Sequence, residues 1–350
     1  MRVQLQNGDV QMPELTVPLT IPDLDIDYTM HRCHFRNSKI KLGNSTFSLT
    51  GNLYDIDKFY EDKGLLRGEL NLTSSYMDLN EILAVSDGFK APDSLLRHEK
   101  DSKEDDPFIV PFGINVTINT QADKVHYEDV DIRKLAGKVV VNDGVLVLDQ
   151  MGFTSDAARM QLTALYKTPR RNHLFLGLDF HLLDIKIAEL IDMIPEVDTV
   201  LPMLKSFAGN AEFHFAIETY LKSNYDVKFS TLRGAAAING HDLVVLDNDT
   251  YRKISKMLMF KKGTTNKIDS LSAEATIYKN EVDVYPFLIA IDRYKAIVSG
   301  RHNLDMTYNY NLSLVNPIRL GLDVIGTDKR KFKLTKAKYA TLFRTNHIQS

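Results

Sequence analysis

The sequence contains no tryptophan and a single cysteine, Cys33. One cysteine excludes an internal disulfide, so the hydrophobic core alone must hold the fold together. No apolar run approaches the roughly 18 to 20 residues that span a bilayer, and the first residues lack the basic and apolar regions of a secretory signal. We therefore expect the chain as given to behave as a soluble protein. A piece of a longer, membrane-anchored protein would look the same.

A strong charge of one sign is also missing, because the formal net charge is -3. Proteins that bind nucleic acid usually present a strongly basic face that releases counterions from phosphate, so nucleic acid is not an expected partner. The 350 residues are 44% hydrophobic and 25% charged, which is an ordinary globular composition. The chain is long enough for one large domain or two smaller ones.

Local signatures of catalysis are absent from the sequence. It contains no GxSxG, HExxH, P-loop or GxGxxG arrangement, so nucleophilic, metal-assisted and nucleotide chemistries lack a local motif. Carboxylates are bunched at Asp101, Glu104, Asp105 and Asp106, within a polar run that is typical of a solvated loop. We therefore predict that the protein is not an enzyme and uses no cofactor or nucleotide.

One cluster of residues resembles a metal site. His31, Cys33 and His34 offer imidazole and thiolate groups, which are the ligands that zinc prefers. A fourth ligand at a suitable spacing is missing. In a strand His31 and Cys33 would share a face while His34 points to the other. We therefore expect these three residues to have ordinary structural roles, and no metal is predicted.

Alternation of apolar and polar residues is the clearest pattern in the chain. It runs from Leu304 to Leu314 and from Leu174 to Leu182, and it recurs in shorter stretches such as Ile114 to Ile118. Side chains alternate across a β-strand, so each stretch places an apolar stripe on one face. Polar residues on the other face favour antiparallel pairing with one face covered. The sequence predicts a mainly β fold, an elongated and curved antiparallel sheet.

Helices are predicted in a few places. They follow long strands at Asp78 to Val85 and at Asp184 to Pro195, and further candidates lie at residues 249–260 and 199–209. Aspartate suits a helix start and Pro195 suits a stop. The run from 88 to 107 is polar, charged and ends at a proline, which predicts a loop. This loop suggests an N-terminal β segment over 1–90, a polar loop over 91–107 and a main β domain over 108–350, with one continuous sheet as the alternative.

A weak internal repeat organises the strands. The segments FSLTGNLYD and GLLRGELNLTSSYMDLNEIL compare with MQLTALYKT and HLFLGLDFHLLDIKIAELI. Both pairs suggest strand, short turn, strand and helix. A third copy, AIVSGRHNLDMTYNYNLSLV, keeps the strands but has Asn316 and Pro317 where a helix would begin. Repeated β units suggest a sheet that grew by duplication.

Two longer segments carry a resemblance to a known family. KLAGKVVVNDGVLVLDQMGFTSDAARMQLTALY and STLRGAAAINGHDLVVLDNDTYRKISKML both combine strands with a turn that contains glycine. Asp-Gly within 142–144 and Asn-Gly at 239–240 predict tight hairpins with positive φ. In this pattern residues 42 to 325 resemble the C-terminal region of the AsmA family of envelope proteins, in the version found in Bacteroidetes-like bacteria.

The resemblance implies a periplasmic protein held at the inner membrane by an anchor that is not present in this chain. It further implies a role in outer-membrane biogenesis or lipid homeostasis, with phospholipid as ligand and other envelope proteins as partners. The AsmA family also resembles bridge-like lipid transfer proteins, whose curved sheets form an apolar trough for acyl chains.

Physical reasoning supports the same function. A curved sheet with one apolar face must cover that face with another sheet, with helices or with lipid. A chain with ~14 buried CH₂ groups gains on the order of 11 kcal/mol relative to water, and it loses a similar amount on leaving a bilayer, so transfer is nearly neutral. The predicted lipid-facing residues are Leu174, Leu176, Leu178, Phe180, Leu182, Leu304, Met306, Tyr308, Tyr310, Leu312 and Leu314.

Alternatives stay open at this stage. A periplasmic or surface β-sandwich that binds protein or carbohydrate is the main one, although the absence of tryptophan disfavours sugar stacking. A hydrolase on a β scaffold would need a polar cleft with converging titratable groups. The basic stretch from Lys329 to Arg344 suits either anionic lipid headgroups or a solvated strand or tail that lysines protect from aggregation.

Overall fold

A computed structural model of the chain describes residues 1–10, 17–61, 63–86, 107–155, 159–189, 207–246, 248–260, 266–291, 293–305, 307–326, 330–339 and 341–342. These residues are mainly β and include 18 strands of one long mixed sheet, with few short helices. The predicted fold class is therefore confirmed. Among the described residues, no helix combines the length and the apolar character that crossing a bilayer requires.

The strands follow one another with short connections. The earlier strands are β1 (Arg2–Val10), β2 (Leu19–Thr29), β3 (Arg32–Leu42), β4 (Ser45–Tyr54), β5 (Leu66–Asp78), β6 (Ile114–Tyr127), β7 (Val130–Asn142), β8 (Val145–Thr154), β9 (Arg159–Arg170) and β10 (His173–Lys186). The later strands are β11 (Phe207–Leu221), β12 (Arg233–Val245), β13 (Lys267–Tyr278), β14 (Glu281–Ile291), β15 (Tyr294–Asn303), β16 (Tyr308–Asn316), β17 (Leu320–Gly326) and β18 (Arg330–Thr335). The helices are α1 (Ile56–Tyr60), α2 (Leu79–Ser86) and α3 (Asn248–Met257).

The chain forms two compact units. Unit 1 comprises Met1–Phe180 and Glu218–Lys228, and unit 2 comprises His181–Ile217 and Phe229–Ser350. In unit 1, β1 to β9 pair in chain order, and all these pairs except β5 with β6 are antiparallel. In unit 2, β12 to β18 also pair in chain order, and every pair is antiparallel.

The pair of β5 and β6 differs from the predicted antiparallel sheet. Leu66 lies opposite Ile114 and Asp78 lies opposite His126, so these two strands run parallel. Parallel strands need a crossover of about a dozen residues or more, and the connection here holds α2 and the predicted polar loop. Residues 87–106 of that connection lie outside the described residues. The segments before and after the loop are thus joined by a ladder inside unit 1.

The two predicted Gly turns have different outcomes. Asp143 and Gly144 form the tight turn between β7 and β8 with φ values of 45° and 82°, which confirms the first hairpin. The second prediction is wrong, because Asn239 and Gly240 lie inside β12, opposite Ser272 and Leu271. The irregularity comes instead at Asp242, which has a φ of 53° and is skipped in the ladder. Continuous pairing with β13 outweighs the local turn preference.

The helix predictions are confirmed in part. α2 begins after Asp78, whose carboxylate accepts the N–H of Asn80 at 2.9 Å, as a helix N-cap does. α3 matches the helix predicted over 249–260. The helix predicted from Asp184 begins too early, because β10 continues to Lys186 and residues 187–189 are helical. Residues 190–206 lie outside the described part of the chain.

The stripe from Leu304 to Leu314 was predicted as one strand, and this is wrong at its start. β15 ends at Asn303 and β16 begins at Tyr308, so Leu304 lies in the connection. The carboxylate of Asp305 accepts hydrogen bonds from the N–H of Thr307 at 2.9 Å and from its hydroxyl at 2.7 Å. Such a local aspartate turn competes with strand pairing. Met306 lies outside the described residues.

Asp55 fixes the short helix α1 to strand β5. Its carboxylate accepts a hydrogen bond from the Lys58 ammonium at 2.9 Å and another from Nε of Arg67 at 2.9 Å. These two cations lower the pKa of Asp55 to about 2. The charged carboxylate therefore stabilises the folded state.

We expect this contribution to depend on pH. The pKa of an aspartate in the unfolded chain is about 3.9, so the stabilisation is complete above roughly pH 4 and is lost as the pH falls through about 2. Urea unfolding should show the wild type to be more stable than Asp55→Asn at pH 5, with a difference that shrinks toward pH 2. A difference that is constant over this range would contradict the assignment.

Candidate functional site: the apolar face of unit 1

A continuous apolar surface crosses the strands of unit 1. Every second side chain of a strand points to one face, and pairing places such side chains opposite one another. The apolar pairs that link β1 through β9 are Leu5 with Leu24, Ile26 with Phe35, Cys33 with Leu53, Leu49 with Leu72, Leu70 with Ile118, Ile118 with Val139, Val139 with Leu148, and Leu148 with Ala164. We call this surface the apolar face of unit 1.

Large side chains in the middle of the apolar face are only half-buried. They include Phe35, Phe47, Leu49, Leu72, Ile118, Val139 and Leu148. A packed second layer removes nearly all the exposure of such side chains, so the described residues of unit 1 leave this stretch without a packed cover. The opposite face carries exposed charges such as Lys39, Glu69 and Lys138. Water therefore reaches both faces of the sheet. The exposed charges lie on the opposite face, where Val140, Val147 and Leu165 are also half-buried.

Helix α2 covers one end of the apolar face. Leu79 and Ile82 of the helix pack against Met77, Ala122 and Val125, and these last three side chains are buried. They lie at the end of β5 and β6, where the parallel ladder stops. Helix α2, which follows β5, therefore bounds the half-buried part of the apolar face at this end.

The carboxylate of Glu81 attaches α2 to the turn between β3 and β4. Glu81 accepts hydrogen bonds from the backbone N–H of Asn44 at 2.9 Å and from its side-chain amide at 2.8 Å. Gly43 beside it has a φ of 55°, and a Cβ there would lie 2.5 Å from the Glu81 carboxylate. The turn between β3 and β4 thus supplies the hydrogen-bond donors and the space that the Glu81 carboxylate of the helix occupies.

The segment before β6 covers the opposite end. Val110 is fully buried, and its N–H donates to the hydroxyl of Thr168 at 3.2 Å. The ring of Phe108 stacks on Tyr166, whose hydroxyl donates to the Phe108 carbonyl at 2.9 Å. Burial raises the pKa of Tyr166, so this phenol stays a neutral donor. The segment is thereby attached to β9.

We call the half-buried part of the apolar face between these two covers the trough. Neighbouring strands are about 4.8 Å apart, so the nine strands from β1 to β9 extend over about 38 Å. The strands are longer than a single acyl chain is wide. The covers at both strand ends shorten the stretch of each strand that is open. The trough has the dimensions and the chemistry of a surface for hydrocarbon chains.

The predicted lining on β10 belongs in part to this surface. Leu176, Leu178 and Phe180 are half-buried, and the ring of Phe180 stacks on Phe153 with 6.5 Å between centroids. Leu174 and Leu182 are fully buried, so they support the sheet and present no surface to a ligand.

The predicted lining on β16 has a different environment. Leu314 is fully buried in unit 2, and so are its cross-strand neighbour Ala296 on β15 and Leu322 on β17. Tyr310 packs against a core cluster that contains Val282, and its hydroxyl lies 2.8 Å from Nδ1 of His302. Tyr308 and Leu312 are half-buried. Leu304 also packs against that cluster, so the described part of this stripe is covered at Leu304, Tyr310 and Leu314 and stays half-buried at Tyr308 and Leu312.

Residues of β3 and β4 that belong to the trough were missed by sequence reasoning. Phe35 and Ile40 lie on the same face although their numbers differ by five, because a β-bulge falls between Phe35 and Ser38. A bulge shifts the alternation by one residue, so the period of two is broken. Reading each side of the bulge separately would have recovered both stripes.

The other candidate sites are placed as follows. Cys33 is buried opposite Leu53, Nδ1 of His34 lies 3.0 Å from the Asn52 amide oxygen, and Nδ1 of His31 lies 3.2 Å from Asp57. These three side chains have separate neighbours. In the basic stretch, the described side chains Arg330, Lys331 and Lys333 of β18 are exposed.

In comparisons with known proteins, no family model matches the chain, and no similar protein was found among curated proteins or solved structures.

We expect the Glu81 contacts to keep α2 on the apolar face. Glu81→Ala removes the acceptor for Asn44 and should cost about 1 kcal/mol of local stability. Hydrogen exchange should accelerate over residues 79–86, and binding of the hydrophobic dye ANS should rise as Met77 and Val125 become accessible.

A control uses Glu69→Ala, which removes an exposed carboxylate from the opposite face of the neighbouring strand. It should leave both readouts unchanged. Equal dye binding by the two variants would show that Glu81 does not hold the cover.

Proposed function

We propose that the protein binds lipid acyl chains in the trough of unit 1 and acts as a non-catalytic, AsmA-like envelope protein in lipid transport or outer-membrane biogenesis. The observation that carries this proposal is the row of half-buried apolar side chains between α2 and the segment 107–113. Each buried CH₂ group of a lipid contributes about 0.8 kcal/mol, so the binding free energy of an acyl chain in the trough grows with the length of the chain.

The charge pattern of the sheet fits this function. The trough is lined by side chains without charge, while the opposite face carries lysines and glutamates that stay in water. The acyl chain of a lipid would lose no hydrogen bonds on entering the trough, since hydrocarbon forms none. The affinity therefore depends on buried apolar area and differs little between acyl chains of similar length. Such low selectivity suits a carrier of bulk phospholipid.

The cellular setting is part of the proposal and rests on the resemblance to the AsmA family. A periplasmic position next to the inner membrane, through an anchor outside this chain, would place the trough near both lipid source and acceptor. The exposed cations of β18 suit contact with anionic headgroups, each contributing about 1 kcal/mol close to a membrane surface.

A second candidate function has one observation in its favour. The polar side of unit 2 contains a concave pocket of about 690 Å³, lined among others by Asp283, Tyr285, Arg301, Asn309 and Tyr339. Tyrosine rings next to amide and charged groups suit a polar ligand, as in a binding module for carbohydrate or protein. The pocket lies in unit 2, so it is separate from the trough, and the two functions are distinguishable.

Lipid that purifies with the protein tests the main proposal. Native mass spectrometry of protein prepared without detergent should show adducts with the mass of phospholipid, and solvent extraction should recover the same lipids. Repeated preparations free of lipid, which also fail to take up a fluorescent phospholipid from vesicles, would refute it.

We expect a charge in the trough to prevent uptake. Leu148 and Val147 are neighbours on β8, both half-buried, and they point to opposite faces. Leu148→Arg should lower the uptake of fluorescent phospholipid at least about tenfold, because lipid binding would then bury a charge. Val147→Arg places the same charge on the other face and should retain uptake. Circular dichroism and the thermal midpoint verify that both variants fold, and equal uptake by both would contradict the assigned face.

A further inference from the structure

The polar pocket of unit 2 is formed where strand β14 is irregular. The register between β14 and β15 shifts after Val284, so that Tyr285 and Pro286 lie across from Ser299 alone. Such a β-bulge bends the strand and changes the direction of its side chains, and bulges are common next to binding sites. Tyr285, Pro286 and Ser299 all line the pocket. Its volume of about 690 Å³ falls within the range of about 300 to 1,000 Å³ that small-molecule sites have.

A second wall of the pocket is the segment that follows β18. The backbone N–H of Lys338 donates to the Ser313 hydroxyl at 2.6 Å, and the Lys338 ammonium lies 3.2 Å from the Asp323 carboxylate. Ser313 is fully buried, and Asp323 also accepts a hydrogen bond from the side-chain amide of Asn311 at 2.6 Å. These contacts attach the segment to β16 and β17, and the next residue, Tyr339, lines the pocket.

Two hydroxyl groups that line the pocket have no hydrogen-bond partner among the described residues. Ser299 is buried, with 8% of its surface exposed, and the described residues form no hydrogen bond with its hydroxyl. The hydroxyl of Tyr308 is buried as well and has no partner among them. A buried hydroxyl without a hydrogen bond costs free energy, so a ligand that hydrogen-bonds to these two groups gains affinity from both.

The charges around the pocket nearly cancel. Nε of Arg301 donates to the Asp283 carboxylate at 2.6 Å, and another nitrogen of Arg301 lies 2.8 Å from the Glu281 carboxylate. Lys338 is paired with Asp323 in the same way. A group of charges that sums to almost zero exerts little attraction on an ion of either sign. The pocket is therefore better suited to a neutral polar ligand than to a phosphate or a metal ion.

Tyrosine rings add apolar surface to these polar groups. Tyr285 and Tyr339 line the pocket, and each is 48% exposed. A sugar ring presents C–H groups on its faces and hydroxyls at its edge. A tyrosine ring can therefore pack on the sugar face while an amide such as that of Asn309 binds the hydroxyls. Tyrosine thereby takes the part of the tryptophan that the sequence lacks.

The composition of the walls disfavours a peptide. Peptide and protein partners bind most strongly through aromatic or aliphatic anchors that fill apolar pockets. The described lining residues include no leucine, isoleucine, methionine or phenylalanine. The described walls thus offer hydroxyls, amides and two exposed tyrosine rings, which match a sugar better than an apolar side chain.

We propose that this pocket binds a neutral saccharide. Tyr285 and Tyr339 pack on sugar rings, and the groups that bind sugar hydroxyls are those of Ser299, Tyr308 and Asn309. This inference rests on the second candidate function and narrows it from carbohydrate or protein to carbohydrate. It uses residues of unit 2 only, so it does not depend on the lipid proposal.

Saccharide titration of the full chain tests the pocket. The neutral probes are maltotriose, cellotriose and mannotriose, the anionic probes are sialyllactose and trigalacturonate, and binding is measured by saturation-transfer NMR and calorimetry. We expect at least one neutral probe to bind with a dissociation constant in the millimolar range or below, and more tightly than either anionic probe. Absence of binding by all three neutral probes at tens of millimolar would overturn the proposal, and so would preference for an anionic probe.

Variants assign the binding to this pocket. Tyr339→Ala removes an exposed ring and should weaken saccharide binding about fivefold. Ser299→Ala removes a hydroxyl and should weaken binding about three- to tenfold, with a thermal midpoint no lower than that of the wild type. The matched control is Tyr60→Ala, which removes an exposed tyrosine from α1 in unit 1 and should bind as the wild type does. Unchanged binding by both pocket variants would overturn the assignment.

Two further measurements separate this proposal from its rivals. A tryptic digest of casein serves as the peptide probe, and peptide binding that the pocket variants lose, without saccharide binding, would overturn the saccharide assignment. Uptake of fluorescent phospholipid is measured on the same proteins. Saccharide binding without lipid uptake would support the present proposal and refute the lipid one, and lipid uptake without saccharide binding would do the reverse.

Discussion

The alternation of apolar and polar side chains along strands is the constraint on which the rest of this structure depends. A sheet with one apolar face exposes that face to water unless something covers it. In unit 2 the protein covers much of it with its own side chains, so that Val282, Leu314 and Leu322 are fully buried. In the described part of unit 1 the covers lie at the two ends of the strands, and side chains between them such as Ile118, Val139 and Leu148 stay half-buried. The same rule of strand geometry therefore leaves each unit with an apolar stripe that is buried in some places and half-buried in others.

The covers of the trough show how weak local contacts define a surface. α2 is a short helix held by Ile82 below and by the Glu81 carboxylate at its side. The segment before β6 is held by Val110, by the Phe108 carbonyl and by one ring stack. Neither cover extends over the middle of the sheet. The open part is bounded by these attachments, and a change in one of them alters the accessible apolar area.

The two faces of the sheet offer different chemistry. The apolar face suits hydrocarbon, which gains by leaving water and needs no directed contacts. The opposite face of unit 1 holds groups that form directed contacts, such as Asn119, whose side-chain amide donates to the Asn71 side-chain oxygen at 3.0 Å. A strand that alternates its side chains therefore presents different chemistry on its two faces.

Much of the fold could be predicted from local patterns, because strand alternation, the Asp143–Gly144 turn and the Asp78 cap depend on neighbouring residues alone. Features that depend on distant partners could not: the parallel pairing of β5 with β6, the continuation of β12 through Asn239, and the bulge after Phe35 all follow from strands that meet in space. Sequence thus determined which side chains share a face within an uninterrupted strand, because that follows from the period of the strand. Tertiary structure decided which of those faces is filled and which stays open, because burial depends on what packs above a side chain, and no local pattern contains that information.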